Sequence, residues 1–265
     1  LIVIPTNQQL DWFLPSAAAD SRQYVVMSSP RGTKSGGGGG IGDLASRARK
    51  LSVVFVPGFL YFENSKLAEP YVQGWKQALG YFDCGSALNF ITVHPSPVAS
   101  LHDRACQIFY DLKGGRVYFG EEHSQLHGHD CYGEEVGEGL LNEWDEQHPI
   151  VLIGHSFGGL TIRYLEHLLR SGFFPGYKTS ESWIAALVTL NAPLNGSLTP
   201  YALGEVPGRA PAVRWGSPGM WLSAVVTACE WADVQWLKRR GLDFRLGHWG
   251  LSRRRRERRG PGSLA

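Results

Sequence analysis

The sequence has few cysteines, and their spacing fits neither a disulfide scaffold nor a metal-binding motif. Cys84, Cys106, Cys131 and Cys229 form no C-x-x-C pair and no dense framework. A fold held together by disulfides is therefore disfavoured, and small buried apolar side chains are the favoured interpretation of these four residues. The cysteines do not indicate whether the protein resides in a reducing or an oxidising compartment.

Long apolar runs and internal repeats are also missing. No run approaches the roughly 20 residues that a membrane-spanning helix needs, so no transmembrane segment is predicted. The chain begins at Leu1 and not at methionine, which leaves a removed or missing leader open. The compartment is unassigned, with secretion as one alternative.

Positive and negative charges are nearly balanced, since the sequence has 26 Lys and Arg residues and 24 Asp and Glu residues. The segment "SRRRRERRG" near the end supplies six arginines against one glutamate, so the remainder is mildly acidic. Such a run is typical of a solvated tail that has only sequence-independent affinity for phosphates. We predict a basic disordered tail over 253–265 and no specific nucleic-acid partner.

The first fifty residues differ from the rest of the chain in composition and in hydrophobic periodicity. The stretch "SSPRGTKSGGGGGIGDLASRARK" has no sustained apolar period, which indicates that residues 1–50 are a disordered or linker extension. Its "GGGGIG" satisfies G-x-G-x-x-G, but no strand precedes it, so a dinucleotide site is not predicted.

From Leu51 onward, apolar strands alternate with helices. Strands are predicted in "LSVVFVPGF", "ALNFITVHPSP", "PIVLIGH" and "WIAALVTLNAP", and helices in "YVQGWKQALGYF", "LHDRACQIFYDLKGG" and "GLTIRYLEHLLRSG". This alternation predicts an α/β domain over 51–252, with a mostly parallel sheet and helices on both faces. The Gly/His/Glu-rich stretch 114–137 is predicted to be too polar for the core.

A G-x-S-x-G motif formed by Gly154, Ser156 and Gly158 lies between a predicted strand and a predicted helix. In that context the turn exposes a serine hydroxyl above the sheet, as a nucleophile requires. The amide of Phe157 would then face a developing oxyanion, and a second amide is expected from Phe59 in "VPGFL". An ordinary turn serine is the alternative.

Asp103, His123, His127 and His129 form a second cluster, within 103–129. Neutral imidazoles with a carboxylate are a ligand set suited to zinc. The alternative is a polar loop that gathers histidines without function, because no H-E-x-x-H or C-x-x-C supports the site.

The run "LHDRACQIFYDLKGGRVYFGEEHSQLHGHDCYG", then "IGHSFGGLTIRYL" and "LDFRLGHWGL", resembles the zinc-containing lipases of thermoalkalophilic Bacillus type, with staphylococcal lipases as relatives. The likeness extends from about Val53 to Leu251. It implies an α/β-hydrolase fold with a small zinc subdomain at about 101–137, inserted before the nucleophile. It also implies that Asp103, His123 and His129 match three of four ligands of a structural zinc, with His127 a bystander.

Two residues near the expected oxyanion hole depart from the family pattern. Phe157 stands where glutamine is usual, and Pro57 where histidine is usual. By the resemblance, the fourth zinc ligand, the catalytic aspartate and histidine and the calcium site lie beyond the Trp-Gly-Leu element. Because the sequence becomes arginine-rich at Arg253, we expect the fourth zinc ligand, the catalytic aspartate and histidine, and the calcium site to be missing. We therefore expect no calcium to bind and one position of the tetrahedral zinc site to lack a protein ligand.

Substitute partners for Ser156 are few. Downstream histidines are His167 and His248. His167 lies eleven residues into the elbow helix, about 16 Å along its axis. His248 follows Asp233 and Asp243 in the order usual for a triad, but its context resembles a structural or cap element. No histidine nitrogen is expected within hydrogen-bond reach of Ser156.

The leading hypothesis is a serine ester hydrolase of lipase type that acts on lipid esters such as triacylglycerols, with transient contact at a lipid interface. The alternative is an inactive lipase-like pseudoenzyme or lipid-binding protein. The Trp-rich segment predicts an acyl-chain pocket under a helical cap, formed in part by Trp221, Trp231 and Trp236. The alternative is that these tryptophans only pack in the hydrophobic core. Without a general base, nitrophenyl ester hydrolysis is expected to stay barely above buffer.

Overall fold

The computed structural model describes residues 25–28, 52–62, 73–74, 89–208, 212–232, 238 and 242–251. The strands are β1 (Val25–Ser28), β2 (Ser52–Val56), β3 (Asn89–Thr92), β4 (Gly114–Tyr118), β5 (Tyr132–Glu138), β6 (Ile150–His155) and β7 (Ile184–Leu190). The helices are α1 (Leu101–Lys113), α2 (Glu121–His127), α3 (Phe157–Arg170), α4 (Thr199–Leu203) and α5 (Pro218–Ala232), with short 3-10 turns at Glu181–Trp183 and Gly247–Trp249.

Five strands form the main sheet in the order β1-β7-β6-β2-β3. The β3, β2, β6 and β7 strands run parallel, while β1 pairs antiparallel with the edge of β7. The predicted mostly parallel sheet is confirmed. The β1 strand corrects the linker prediction at Val25–Ser28, because the open edge of β7 supplies backbone hydrogen-bond partners that composition does not reveal.

The central strand β2 is apolar on both sides because both faces of the sheet are covered. Val54 and Val56 pack into the larger core cluster, whereas Val53 and Phe55 belong to a second cluster on the opposite face. All four side chains are buried. A continuous β-branched run is what a buried parallel strand requires.

The α1 and α3 helices pack against the first face of the sheet and against each other. The hydroxyl of Ser100 caps α1 by accepting a hydrogen bond from the Asp103 amide at 3.0 Å, and Gly114 ends the helix with φ 81°. A hydroxyl N-cap and a glycine stop are the expected signals for a helix of this length.

A small insertion separates α1 from β6. It consists of the antiparallel pair β4 and β5 with α2 between them. The prediction that 114–137 is too polar for the core is wrong at Val117 and Phe119, whose side chains are almost completely buried. Val117 joins the main core beside α1, so a single buried face suffices to fix an otherwise polar segment.

Parts of four predictions lie outside the described residues. They are the linker over 1–50 apart from Val25–Ser28, the helix predicted in "YVQGWKQALGYF" apart from 73–74, the aromatic residue Trp236, and the basic tail over 253–265. Among the described residues, no helix combines the length and apolarity needed to span a bilayer.

Candidate active site and metal centre

Ser156 occupies the turn between β6 and α3. Its backbone has φ 53° and ψ −123°, a combination that L-residues rarely adopt. The amide of Ser156 donates to the carbonyl of Leu190 at 2.8 Å, which ties the turn to the end of β7. The structure therefore places Ser156 at the strand-to-helix turn that the motif predicts.

The glycines around Ser156 are required by close backbone approaches. A Cβ built on Gly154 would lie 2.5 Å from the carbonyl oxygen of Gly158. A Cβ on Gly158 would overlap the carbonyl oxygen of Val56 at the end of β2. The turn can therefore lie against the loop after β2 only because both positions lack a side chain.

The loop after β2 lies directly beside the serine hydroxyl. A Cβ on Gly58 would lie 3.1 Å from Ser156 Cβ and 3.5 Å from Ser156 Oγ. The rings of Phe59 and Phe157 meet edge to face, with centroids 6.4 Å apart. The two residues predicted to supply oxyanion amides thus flank Ser156 from two separate elements.

The buried Arg104 of α1 fastens this loop in place. Its guanidinium donates to the carbonyls of Pro57, at 2.7 Å, and of Ser96, and its Nε donates to Thr161 Oγ1 at 3.3 Å. It also lies 5.3 Å from the ring centroid of Phe157. Burial lowers the pKa of Arg104 to about 9. Sequence reasoning missed this residue, because two of its partners, Pro57 and Thr161, lie 47 and 57 residues away.

A large cavity opens above Ser156. Its volume is about 960 Å³, and most of its wall is apolar. The lining residues include Phe157 and Leu160 of α3, Val226 of α5, and Leu246 and Trp249 of the 242–251 segment. A cavity of this size and character suits an acyl chain.

Within the described part of the chain, Ser156 Oγ makes no hydrogen bond to a histidine. The Nε2 atom of His248 faces the carboxylate of Asp103 at 3.4 Å. The ring of His167 packs against Tyr164 farther along α3. Burial lowers the pKa of His155 to about 4. A general base for Ser156 is therefore not identified among these three histidines.

Asp103, His123 and His129 come together beside α1. One ligand atom from each lies within 4.8 Å of the others, so the group could hold a metal ion. His123 Nε2 is 3.1 Å and His129 Nε2 is 4.0 Å from Asp103 Oδ1. His127 is exposed on α2 and is not a member of the group, although its ring centroid lies 4.4 Å from that of His123, with the rings tilted by 49°.

The surroundings of this group are compatible with a metal ion. His129 Nδ1 lies 2.9 Å from the carbonyl of Asp130, which turns a buried Nε2 without a hydrogen-bond partner toward Asp103. Burial and then the nearby His102 lower the pKa of His123 to about 4. Burial alone would raise the pKa of Asp103, but attraction from His248, His129 and His123 lowers it instead. Neutral imidazoles beside an ionised carboxylate are what a metal ion needs.

Arg245 joins the 242–251 segment to the insertion, and sequence reasoning missed it as well. Its guanidinium pairs with Asp111 of α1 at 2.8 and 2.9 Å and with Glu134 of β5 at 2.6 Å. It also donates to the carbonyl of His94 at 2.6 Å. The acidic partners lie more than 100 residues upstream, so no local pattern could have revealed the contact.

Comparison with known proteins identifies the relatives of this fold and site. Residues 50–180 match a family described as the lipase-like C-terminal domain. The lipase of Staphylococcus hyicus is 32% identical over 221 residues, which cover 76% of this chain and 31% of that protein. The lipase of Staphylococcus epidermidis is 32% identical over 179 residues, covering 61% of this chain and 23% of the relative.

Solved structures agree with the sequence comparison. The crystal structure of Staphylococcus hyicus lipase superposes with a TM-score of 0.52 at 27% identity, over 77% of this chain and 53% of that one. Lipase 1 from Pelosinus fermentans gives a TM-score of 0.52 at 25% identity, over 77% and 54% of the two chains. The resemblance to staphylococcal lipases and the α/β-hydrolase-like fold are confirmed.

The chain is similar in sequence to bacterial lipases over about three quarters of its own length. It spans about a third of the length of the Staphylococcus hyicus lipase that it matches.

Proposed function

We propose that this chain supplies the nucleophile, oxyanion donors and acyl cavity of a hydrolase that acts on lipid esters such as triacylglycerols. The observation that carries the proposal is the strained turn at Ser156, which lines an apolar cavity of about 960 Å³. In this role Ser156 Oγ attacks the ester carbonyl, the alcohol leaves with the serine proton, and water then hydrolyses the acyl-serine. The amides of Phe59 and Phe157 stabilise the oxyanion.

Exposed apolar side chains on the cap elements support a lipid substrate. They flank the cavity on α4, α5 and the loop between them, and they include Leu198, Tyr201, Trp215, Trp221 and Val225. Trp215 is 93% exposed. Such an apolar surface around a cavity favours transient contact with a lipid interface.

The second candidate is a lipase-like protein that binds lipid without turnover. The absence of a hydrogen bond from Ser156 Oγ to a histidine within the described residues favours it. A hydroxyl without a general base keeps only the acceleration that the oxyanion hole and binding provide, on the order of 10³-fold over water.

A structural zinc ion is part of the proposal. Asp103, His123 and His129 would hold it, since the three side chains converge and His129 Nε2 is buried without a partner. When bound, the ion would crosslink α1 to α2 and the segment after it. It has no role in ester cleavage here.

A long-chain alkyl phosphonate with a nitrophenyl leaving group tests the active site. One equivalent forms a stable adduct, so even a slow nucleophile accumulates product that intact-mass measurement detects. We expect Ser156 to be modified, and a long alkyl chain to react faster than a short one because it fills the cavity.

Matched variants decide the assignment. Ser156→Ala is expected to abolish the adduct, whereas Ser223→Ala, which removes another hydroxyl lining the same cavity, keeps it. An adduct that persists in Ser156→Ala, or equal rates for long and short chains, would refute the proposal. Turnover of nitrophenyl esters beyond one equivalent separates the hydrolase from the lipid-binding alternative.

A further inference from the structure

The cavity above Ser156 contains an acidic side chain in a wall that is otherwise uncharged. Glu205 follows α4 and lines the cavity together with apolar residues and a few that carry hydroxyls. Among the described residues that line this cavity, Glu205 alone has an acidic or basic side chain. The proposed attack by Ser156 does not use this carboxylate, so its presence in an apolar wall calls for a separate explanation.

Backbone pairing turns the Glu205 side chain toward the cavity. Glu205 forms an antiparallel bridge with Val213. Hydrogen bonds of 2.8 and 3.0 Å join the residues on either side of Glu205 to those on either side of Val213. In such a pair, the two side chains project from the same face of the ladder and lie close together. Because both residues line the cavity, their shared face is the cavity face.

Glu205 lies at the mouth of the cavity. The side chain of its partner Val213 is 40% exposed, and the nearby Tyr201 and Trp215 are exposed as well. These residues belong to the cap elements that are proposed to contact a lipid interface. A lipid ester with its acyl chain inside the cavity would therefore present its head group to Glu205.

The Glu205 carboxylate has no partner in the protein. Within the part of the chain that the structure describes, it makes no ion pair and no hydrogen bond. By contrast, Asp111 pairs with Arg245 and Glu166 pairs with Arg163. A carboxylate that is partly removed from water without a partner is stabilised by a ligand that brings a compensating charge.

We propose that Glu205 selects lipid esters with a cationic head group, such as a quaternary ammonium, over neutral and anionic ones. This inference rests on the proposed function, since it requires that an ester binds in this cavity. Attraction between opposite charges is stronger beside an apolar wall than in bulk water. An anionic head group is repelled by the same carboxylate, and for the same reason.

The rest of the cavity wall also fits such a head group. A quaternary ammonium donates no hydrogen bond and is recognised by negative charge and by the faces of aromatic rings. The rings of Phe157 and Trp249 line the same cavity as Glu205. A neutral head group needs no charge for its recognition, because the hydroxyls of Ser197 and Thr199 in this wall already offer hydrogen bonds.

Three amphiphiles with the same dodecyl chain and different head groups test the inference. Dodecyltrimethylammonium, dodecylglycerol and dodecanoate are titrated into the full chain at neutral pH and low salt, below their micellar concentrations, and binding is measured by calorimetry. We expect the wild type to bind the cation on the order of 10-fold more tightly than dodecylglycerol, and dodecanoate most weakly. Raising the salt to about 0.5 M should reduce this preference because the charges are screened, and that measurement needs no variant.

Two variants assign the preference to a residue. Glu205→Gln keeps the size of the side chain and should abolish the advantage of the cation. Glu135→Gln removes a charge from an exposed position on β5 and should keep that advantage. Equal affinities in the wild type, a preference that survives Glu205→Gln, or one that is lost equally in Glu135→Gln would overturn the inference.

Glu205-dependent binding that is tightest for dodecylglycerol would also overturn it, because the carboxylate would then recognise a hydroxyl donor. None of these measurements depends on the reactivity of Ser156. A missing phosphonate adduct would therefore refute the proposed hydrolase separately from the charge preference of its cavity.

Discussion

At Ser156 the backbone is held at φ 53° and ψ −123°, where a Cβ is strained. Glycine adopts this region without that cost, whereas alanine keeps the Cβ and removes only the hydroxyl. We expect the free energy of unfolding of Ser156→Gly to exceed that of Ser156→Ala by about 1 kcal/mol. Urea titrations of the two variants under the same conditions measure the difference, and equal stabilities would contradict strain at this turn.

His155, next to Ser156, predicts a pH dependence of stability. Burial lowers its pKa to about 4, below the usual histidine value of 6.5. The unfolded chain therefore binds a proton as pH falls below 6.5, while the folded chain stays neutral until about 4. The contribution of His155 is complete above pH 6.5, declines between 6.5 and 4, and is flat below 4.

His155→Gln removes that titration. We expect the free energy of unfolding of the variant to fall less steeply between pH 6.5 and pH 4 than that of the wild type, by at most about 1.4 kcal/mol per pH unit. Denaturant titrations at several pH values across this window measure both slopes. Parallel curves for the two proteins would show that His155 is not the group responsible.

At the scale of single elements, α1 serves both sites. Consecutive residues on a helix point about 100° apart, so Asp103 reaches the metal group while Arg104 reaches the loop beside Ser156. One and two turns farther on, Gln107 and Asp111 bind Arg245 of the 242–251 segment. The helix thus fixes the turn at Ser156, the group Asp103, His123 and His129, and the 242–251 segment relative to each other.

Removal of the Arg104 guanidinium tests the part of α1 that faces Ser156. Arg104→Met leaves the buried carbonyls of Pro57 and Ser96 without their donors, and each such loss costs about 1–3 kcal/mol. We expect the free energy of unfolding to fall by about 2–4 kcal/mol. Arg116→Met, at an exposed arginine of β4, is the matched control and should change stability by less than about 0.5 kcal/mol. Similar losses in both variants would refute the anchoring role.

At the scale of the whole molecule, zinc should stabilise two segments that lie far apart in sequence. Ligand held at about 1,000 times its Kd contributes about 4 kcal/mol to stability. We expect a chelator to lower the Tm and to speed amide exchange in 114–138 and 242–251. Exchange in the strands β2, β6 and β7 should change little. A uniform increase, or none, would contradict a local metal crosslink.

Local patterns in the sequence determined the parallel strands β2, β3, β6 and β7, the helices α1 and α3, and the turn at Ser156. Each depends on contacts within a few residues: β-branched runs, helical periodicity, and glycines at close approaches. The resemblance to the zinc-containing lipases indicated His123 and His129, and α2 with the turn after it brings both to one side.

Only the tertiary structure decided which distant residues these elements contact. β1 pairs with the edge strand β7, which lies more than 150 residues downstream. Arg104 contacts Pro57 and Thr161, which no helical or strand periodicity relates to it. His248 could be named from the sequence, but its position 3.4 Å from Asp103 depends on a contact across 145 residues. Side-chain chemistry and local spacing can be predicted from the sequence. The pairing of distant groups depends instead on how the sheet and the helices pack around one core.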